Sequence, residues 1–327
     1  MSTVEAPPVP GLAMRSFRGP QDYPVMLRVI ESSKTADGVE RSDTVEQIAA
    51  NYEHLERCDP RSDMLFVEID GTTVGYTRVW WDQEVDGPLV YSHLCFLDPA
   101  WRGSGLGRLM LEWNERRLRE IAAGQPDGEK VLQVWVEDQA AGVRALFEAC
   151  GYEPVTFGAE MVRSSIADLP DCPLPEGVEI QPVAPEHLRA IWEADSEAFR
   201  DHWGYVAPTE KGFEQFLAFP HHDPSLWRIA WAGDRVVGQV RSFIDPNENA
   251  EYHRLRGWTE FISTARQWRR RGVARALIVE SIRALADRGM SEVALGVHTE
   301  NPNGAFDLYL GLGYEVVHTS TTYRKPL

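Results

Sequence analysis

Two segments of the sequence combine arginine with small residues, as turns that bind phosphate do. They are Arg102-Gly103-Ser104-Gly105-Leu106-Gly107 and Arg269-Arg270-Arg271-Gly272-Val273-Ala274. Each stands between a predicted strand and a predicted helix, where unpaired backbone N–H groups and the helix dipole attract an anion. Small residues let the main chain approach a diphosphate, and arginine adds charge-assisted hydrogen bonds. The sequence therefore predicts two sites for a small phosphorylated ligand.

Other chemistry is poorly supported by the residues. Neither segment fits GxxxxGK[ST], and the dinucleotide fingerprint would need a third glycine at Arg108. The sequence has no GxSxG, HExxH or CxxC pattern, so no metal is predicted. The four cysteines are too sparse for a disulfide framework and are read as reduced thiols.

The charge and hydropathy of the chain limit its partners. Its 327 residues include 33 Lys plus Arg and 50 Asp plus Glu, which gives a net charge of -17. Such an excess opposes binding to nucleic acid or anionic lipid. No apolar run reaches membrane-spanning length, and the first residues lack the pattern of a signal peptide. We expect a cytoplasmic protein with no nucleic-acid or membrane partner.

The same order of features occurs twice along the chain. Residues 101–107 have a counterpart in 268–274, and residues 146–152 match 308–314. Three prolines between positions 170 and 175 resist helix and strand between the two copies. We predict an N-terminal domain over residues 1–165, a proline-rich linker over 166–177 and a C-terminal domain over 178–327.

Each half shows alternating strand and helix patterns around its glycine motif. A strand opens each half, two helical segments follow, and a hairpin turns at Asp70-Gly71 or at Gly233-Asp234. A strand, the glycine motif, a long helix, a strand and a last helix complete the half. This order predicts an α/β or α+β layered fold, with helices packed on a mixed sheet.

The order of these elements and their motifs resembles the GNAT superfamily of acyl-CoA N-acyltransferases. The motifs are a strand, the glycine motif at 99–107 or 266–274, a helix, a strand, and an aromatic-x-x-x-Gly-Tyr ending. The resemblance covers both halves and implies two tandem GNAT-like domains, each with a mixed, mostly antiparallel sheet flanked by helices. The tandem layout is similar to that of mycothiol synthase.

The resemblance also implies where acetyl-CoA binds. The co-substrate is expected in a cleft opened where the fourth and fifth strands splay apart, with its diphosphate on the glycine motif of either half and its pantetheine on the strand backbone. In the second half Ile262, Thr264 and Asn301 would contact it, and the backbone N–H of Ile262 would donate to the thioester carbonyl. Asn301 stands eight residues before Tyr309, where seven is usual.

An acid and a base are expected near the acetyl group. The family's tyrosine acid corresponds to Tyr309 in the second half and to Phe147 in the first, and a phenyl ring has no proton to donate. For the base we choose Glu260, on the predicted strand 258–264, with His298 and Glu300 as alternatives. Mycothiol synthase-like sequences place their glutamate at the position of Trp258, on the same strand face.

These expectations give an acetyl-CoA-dependent N-acetyltransferase whose C-terminal domain is catalytic. The acceptor would be a primary amine of a small cationic molecule, attacked directly in a ternary complex. The N-terminal domain would bind acetyl-CoA without turnover or serve as a scaffold. Two alternatives stay open: a non-catalytic acyl-CoA-binding or regulatory protein, and a protein acetyltransferase acting on lysine or N-terminal amines. The oligomeric state stays undetermined.

Overall fold

The computed structural model describes residues 7–301 and 303–327. The chain divides into two compact units. Unit 1 contains residues up to Thr156 together with Ser320–Leu327, and unit 2 contains Phe157–Thr319. Each of the two boundaries falls within the last strand of a sequence repeat. The residues of that strand after the boundary belong to the unit formed mainly by the other repeat. Among the described residues, no helix is long and apolar enough to cross a membrane.

Unit 1 has one central sheet with helices packed against it. Its hairpin turns at Asp70 (φ 48°) and Gly71 (φ 78°), the left-handed pair that matches the twist of the flanking strands. The elements are β1 (Leu12–Arg15), α1 (Tyr23–Asp37), α2 (Val45–Glu53), α3 (Pro60–Asp63), β2 (Met64–Ile69), β3 (Thr72–Gln83), β4 (Leu89–Leu97), α4 (Leu106–Ala122), β5 (Lys130–Glu137) and α5 (Ala141–Ala149).

The sheet of unit 1 is antiparallel except at one pair. Successive strands from β1 to β4 are antiparallel neighbours, and β4 pairs with β5 in parallel over Leu89–Ser92. The edge beyond β5 is occupied by the end of the chain, where residues 320–326 pair antiparallel with β5. Buried apolar side chains from α1 and α4 cover the two sides of this sheet.

Unit 2 repeats the pattern with shorter strands. It begins within β6 (Glu153–Arg163), and the strand that opens the second repeat covers only two residues. The remaining elements are β7 (Glu179–Ile180), α6 (Leu188–Phe199), α7 (Glu210–Leu217), β8 (Arg228–Ala232), β9 (Arg235–Val240), α8 (Pro246–Glu251), β10 (Arg256–Trp258), β11 (Ser263–Thr264), α9 (Val273–Asp287), β12 (Glu292–His298), α10 (Ala305–Leu310) and β13 (Glu315–Pro326).

Two groups of strands make up the sheet of unit 2. One is the antiparallel set in the order β11, β9, β8, β7. In the other, β12 pairs antiparallel with β6 and parallel with β10. An isolated bridge between Phe243 and Trp258 joins the two groups. The predicted fold class is confirmed, since each unit has a mixed, mostly antiparallel sheet flanked by helices.

Candidate active site

The sequence predicts one strand over residues 258–264, whereas the structure has two. β10 pairs with β12 as far as Trp258, and the last ladder bond runs from the N–H of Thr259 to the carbonyl oxygen of Ala294. Phe261 then takes a left-handed conformation (φ 50°), after which β11 pairs with β9 instead. The chain therefore leaves β12, and the two strands splay apart at residues 259–262.

A cleft of about 330 Å³ lies beside this split. Its sides are Ile262–Thr264, the glycine motif, the end of α6 with the loop that follows it, and residues of the segment before and within α10, namely Asn301, Asn303, Gly304, Ala305, Leu308 and Tyr309. The hydroxyl of Thr264 is buried in this wall and has no hydrogen-bond partner among the described residues. A ligand with its own polar groups would satisfy that hydroxyl, as the amides of pantetheine would.

The glycine motif presents the N-terminus of α9 to the cleft. Gly272 has φ 87°, no side chain caps the helix, and the first helical bond runs from the N–H of Ala276 to the carbonyl of Gly272. The N–H groups from Gly272 to Arg275 therefore have no acceptor within the helix. These residues all line the cleft, and a diphosphate fits this array of donors.

The three arginines before Gly272 differ in what they contact. Arg269 donates to Asp201 at 3.1 Å, to Asn303 at 3.2 Å and to the carbonyl oxygen of Ala198 at 2.8 Å. Its guanidinium thus holds the loop after α6 against the motif and is already occupied. Arg270 lines the cleft, whereas Arg271 lies over the ring of Trp268.

The sequence prediction missed one arginine at the cleft. Arg275, in the first turn of α9, lines it beside Arg270. The spacing of the motif gave no signal for this residue, because it lies beyond the small residues that define the turn. The one available signal was the predicted helix after the motif, whose first turn includes Arg275.

Asn301 and Tyr309 both reach the cleft. The amide oxygen of Asn301 accepts from the N–H of Asn303 at 2.8 Å, which fixes the turn before α10. The Tyr309 ring is 5% exposed and packs 6.1 Å from the ring of Tyr314. Burial raises the pKa of Tyr309, and the charge of Glu260 raises it further, so the phenol keeps its proton at neutral pH.

Glu260 lies between β10 and β11, where its carbonyl oxygen accepts from the backbone N–H of Arg241 at 2.9 Å. Its carboxylate accepts from the backbone N–H of Gly296 at 2.6 Å, so it bridges the splayed strands where a ladder bond is missing. Burial raises the pKa of Glu260 to about 7, against the effect of the N–H donors of Gly296 and Phe261. The negative charge of Glu160 raises the pKa as well. A carboxyl group with this pKa is suited to general-base chemistry near neutral pH.

The alternative base His298 lies at the end of β12. Its ring packs edge-on against His202 with centroids 4.8 Å apart, and His202 itself lines the cleft. Burial lowers the pKa of His298 and the neighbouring His202 lowers it further. Glu300 follows β12, and neither it, His298 nor Glu260 is among the residues that line the cleft.

The glycine motif of unit 1 has the same turn but different surroundings. Gly105 (φ 89°) precedes α4 without a side-chain cap, and Pro7 lies against it, 3.1 Å from where a Cβ would stand. Arg102 is held by Asp37 at 2.6 Å and by the hydroxyl of Ser33. The motif is thus partly covered by the chain itself.

The position that corresponds to Glu260 in unit 1 is a buried histidine. His93 contacts the hydroxyl of Tyr152 at 3.2 Å and the amide of Asn114 at 3.3 Å. Burial lowers the pKa of His93 to about 4, so the ring is neutral at physiological pH. Phe147, at the position of Tyr309, is buried. These side chains pack in the interior of unit 1, and position 147 offers no proton donor to a leaving thiolate.

Metal-ligating side chains do not converge in the part of the chain that the structure describes. No group of three or more His, Cys, Asp or Glu residues within residues 7–301 and 303–327 has the geometry of a metal site.

Known proteins are similar to this chain over most of its length. The family model of the acetyltransferase (GNAT) family matches residues 28–152 and 188–314. A mycothiol acetyltransferase from Geodermatophilus obscurus is 25% identical over 312 residues, covering 94% of this chain and 95% of that protein. One from Streptomyces scabiei is 25% identical over 308 residues, covering 92% of this chain and 90% of that protein.

Solved structures show the same architecture. A GCN5-related N-acetyltransferase from Sphaerobacter thermophilus has a TM-score of 0.74 and 27% identity, with 97% of this chain and 96% of that chain covered. A tandem GNAT protein from the clavulanic acid biosynthesis pathway has a TM-score of 0.66 at 14% identity, with 96% and 98% covered. With two matches that together span most of its length, the chain belongs to the acetyltransferase (GNAT) family and is an acetyl-CoA-dependent N-acetyltransferase with two tandem GNAT domains.

Proposed function

We propose that the protein transfers the acetyl group of acetyl-CoA to the primary amine of a small cationic molecule, by direct attack in a ternary complex formed in unit 2. The observation that carries this proposal is the pairing of Glu260 and Tyr309 at the strand split. One is a carboxyl group with a pKa of about 7, and the other is a buried phenol that stays protonated. Glu260 can therefore accept a proton, and Tyr309 can donate one.

The base comes first in this scheme. Glu260 takes a proton from the acceptor ammonium, directly or through a water molecule, and the free amine nitrogen attacks the thioester carbonyl carbon. The backbone N–H of Ile262, in the cleft wall, donates to the carbonyl oxygen as negative charge develops there. The new C–N bond forms as the C–S bond breaks.

The acid completes the transfer. Tyr309 gives its proton to the departing sulfur, and the second proton lost from the attacking nitrogen restores the Tyr309 phenol through solvent. The proton held by Glu260 returns to solvent. The N–H groups from Gly272 to Arg275, with the side chains of Arg270 and Arg275, would hold the diphosphate. Asn301 and Thr264 would contact the pantetheine arm.

Unit 1 is proposed to be non-catalytic. Its motif lies against Pro7, and phenylalanine replaces the acid at position 147. The relatives are named mycothiol acetyltransferases, which supports a small-molecule acceptor for this protein. The net charge of -17 favours a cation among small amines.

The test is product formation from acetyl-CoA with a panel of small amines and a lysine peptide, with thiol release and the mass of each product recorded. Acetylated small amines support the proposal. Acetylated peptide alone would favour a protein acetyltransferase. Measurable acetyl-CoA binding with no product from any acceptor would favour a binding or regulatory protein.

A further inference from the structure

Strand β6 brings a residue of the first repeat beside the proposed base. Within unit 2, Glu160 on β6 stands directly opposite Gly296 on β12 in the antiparallel ladder. Directly opposed residues project to the same face of a sheet, with Cβ positions about 4.5–5.5 Å apart. The side chain of Glu160 therefore lies on the face of β12 toward which Gly296 is turned.

That face is also the one that carries the Glu260 carboxylate. A Cβ on Gly296 would stand 3.3 Å from Oε1 of Glu260, and no other contact within 4 Å is found for it among the described residues outside its chain neighbours. Gly296 is exposed to solvent. The glycine thus leaves an open space beside the Glu260 carboxylate, on the face of β12 that also carries Glu160.

Glu160 belongs to a small cluster of charged side chains. Arg256 on β10 binds Glu160 at 3.0 Å and Glu292 at 2.6 Å. Arg256 is shared by these two carboxylates, and with Glu260 ionised the negative charges of these four groups outnumber the positive one, which favours a cation. Glu160 is the carboxylate whose charge raises the pKa of Glu260.

The other ionisable groups near Glu260 do not add a negative charge beside it. Tyr309 on α10 and Tyr314 after it have raised pKa values and are neutral phenols. His298 on β12 has a lowered pKa and is neutral above it. Arg241, just after β9, is paired with Asp195 at 2.6 Å.

We infer that Glu160 is a specificity-determining residue of the acceptor site in unit 2: it attracts a cationic amine to Glu260 and disfavours an acceptor that carries a carboxylate beside its amine. The inference rests on the proposed function for the identity of the acceptor site. The last strand of the first repeat would then contribute to the acceptor site of the second. The preferred acceptor would be an amine with no neighbouring negative charge.

The first test does not depend on turnover. The pKa of Glu260 is measured by NMR titration of ¹³C-labelled glutamate carboxyls, assigned with Glu260→Gln, in the wild type and in Glu160→Gln. Removing a negative neighbour stabilises the charged form of Glu260, so its pKa should fall by about half a pH unit or more. An unchanged pKa in Glu160→Gln would overturn the inference.

Glu292→Gln is the matched control. It removes the other partner of Arg256 but lies four residues from Gly296 along β12, roughly 13 Å away at strand spacing. The pKa of Glu260 should stay at the wild-type value in this variant. Glu160→Asp keeps the charge and should also preserve the pKa, which separates the effect of the charge from that of changing the side chain. An equal fall in Glu292→Gln would assign the effect to Arg256 and overturn the role of Glu160.

The second test measures acceptor preference with alaninamide, a cation, and alanine, a zwitterion. The ratio of kcat/KM for alaninamide over alanine should be high in the wild type and fall about tenfold in Glu160→Gln, mainly through a higher KM for alaninamide. A ratio that is equal in the two proteins would contradict the inference. Failure of both amines, with acetyl-CoA binding intact and the pKa coupling measured, would count against the proposed function and leave the coupling of Glu160 to Glu260 established.

Discussion

The carboxylate of Glu260 accepts a hydrogen bond from the backbone N–H of Gly296 at 2.6 Å, across the point where the chain leaves β12. The bond holds the proposed base in the opening that the splayed strands create. It also satisfies the N–H of Gly296, which would have bonded to the backbone of a strand continuing alongside β12.

Replacing this carboxyl group should remove most of the activity. Glu260→Gln keeps the size of the side chain and an oxygen that accepts from Gly296, but it cannot take a proton. We expect kcat to fall by about a hundredfold or more, with the dissociation constant of acetyl-CoA unchanged. Steady-state kinetics together with calorimetric binding checks this. A variant as active as the wild type would exclude Glu260 as the base.

The pH dependence of kcat should follow the same group. The base works when deprotonated, and its pKa is about 7, so kcat should fall tenfold per pH unit below that value and level off above it. Thiol release at saturating substrates between pH 5 and 9 measures this. A plateau that extends down to pH 5 would point to a base with an ordinary carboxyl pKa.

The raised pKa also has a consequence for stability. The folded chain favours the neutral form of Glu260, so the stabilising effect is complete below the unfolded pKa near 4.5 and is lost as pH rises through about 7. At pH 8.5, where Glu260 is ionised at a cost, Glu260→Gln should melt about 2 °C or more above the wild type. The two proteins should have similar Tm values near pH 4.5. A variant less stable at pH 8.5 would contradict the buried, charge-disfavouring setting of Glu260.

The two glycine motifs offer a matched pair of variants. Gly272 and Gly105 have nearly the same φ, 87° and 89°, so aspartate at either position carries a similar backbone cost. At Gly272 the carboxylate would stand at the proposed diphosphate position, so Gly272→Asp should abolish acetyl-CoA binding. Gly105→Asp, beside Pro7, should leave binding near one equivalent per chain.

Calorimetric titration of both variants measures affinity and stoichiometry. Two equivalents bound by the wild type would mean that acetyl-CoA also binds in unit 1. Loss of binding in Gly105→Asp, with Gly272→Asp intact, would move the co-substrate site to unit 1.

Arg269 and Arg270 should behave differently although they are adjacent. Arg269 holds the loop after α6 through Asp201 and Ala198, so Arg269→Ala should lower Tm. Arg270 lines the cleft with φ 60°, and Arg270→Gly relieves that conformation. Arg270→Gly should therefore weaken acetyl-CoA binding about tenfold and reduce its salt dependence without lowering Tm. Thermal melts and binding at two salt concentrations separate the two roles.

The repeated motifs were sufficient to predict the fold class and the family from sequence. The hairpins, the glycine turns and the helices after them depend on local residue types, and each appears where the pattern places it. The break at Phe261 could not be predicted, because the aromatic and β-branched residues of 258–264 indicate one strand and a positive φ at phenylalanine has no sequence signal.

The candidate site was only partly accessible to sequence reasoning. Tyr309, Asn301 and the motif residues follow from spacing along one repeat. Glu160 does not, because it comes from the other repeat and its position depends on which strand pairs with β12. The engagement of Arg269 by Asp201 was also missed, since a carboxylate in the loop 68 residues earlier occupies a side chain that spacing assigns to phosphate.

The most direct test of the central claim compares two neighbouring tyrosines. Tyr309 and Tyr314 are both buried, but Tyr309 lines the cleft and Tyr314 bonds to Thr259 at 2.8 Å instead. Amine-dependent thiol release is measured for wild type, Tyr309→Phe and Tyr314→Phe, with acetyl-CoA binding determined for each. We predict that Tyr309→Phe loses at least about tenfold in kcat with binding intact, while Tyr314→Phe keeps most of its activity. Wild-type turnover in Tyr309→Phe would contradict the assignment of catalysis to unit 2.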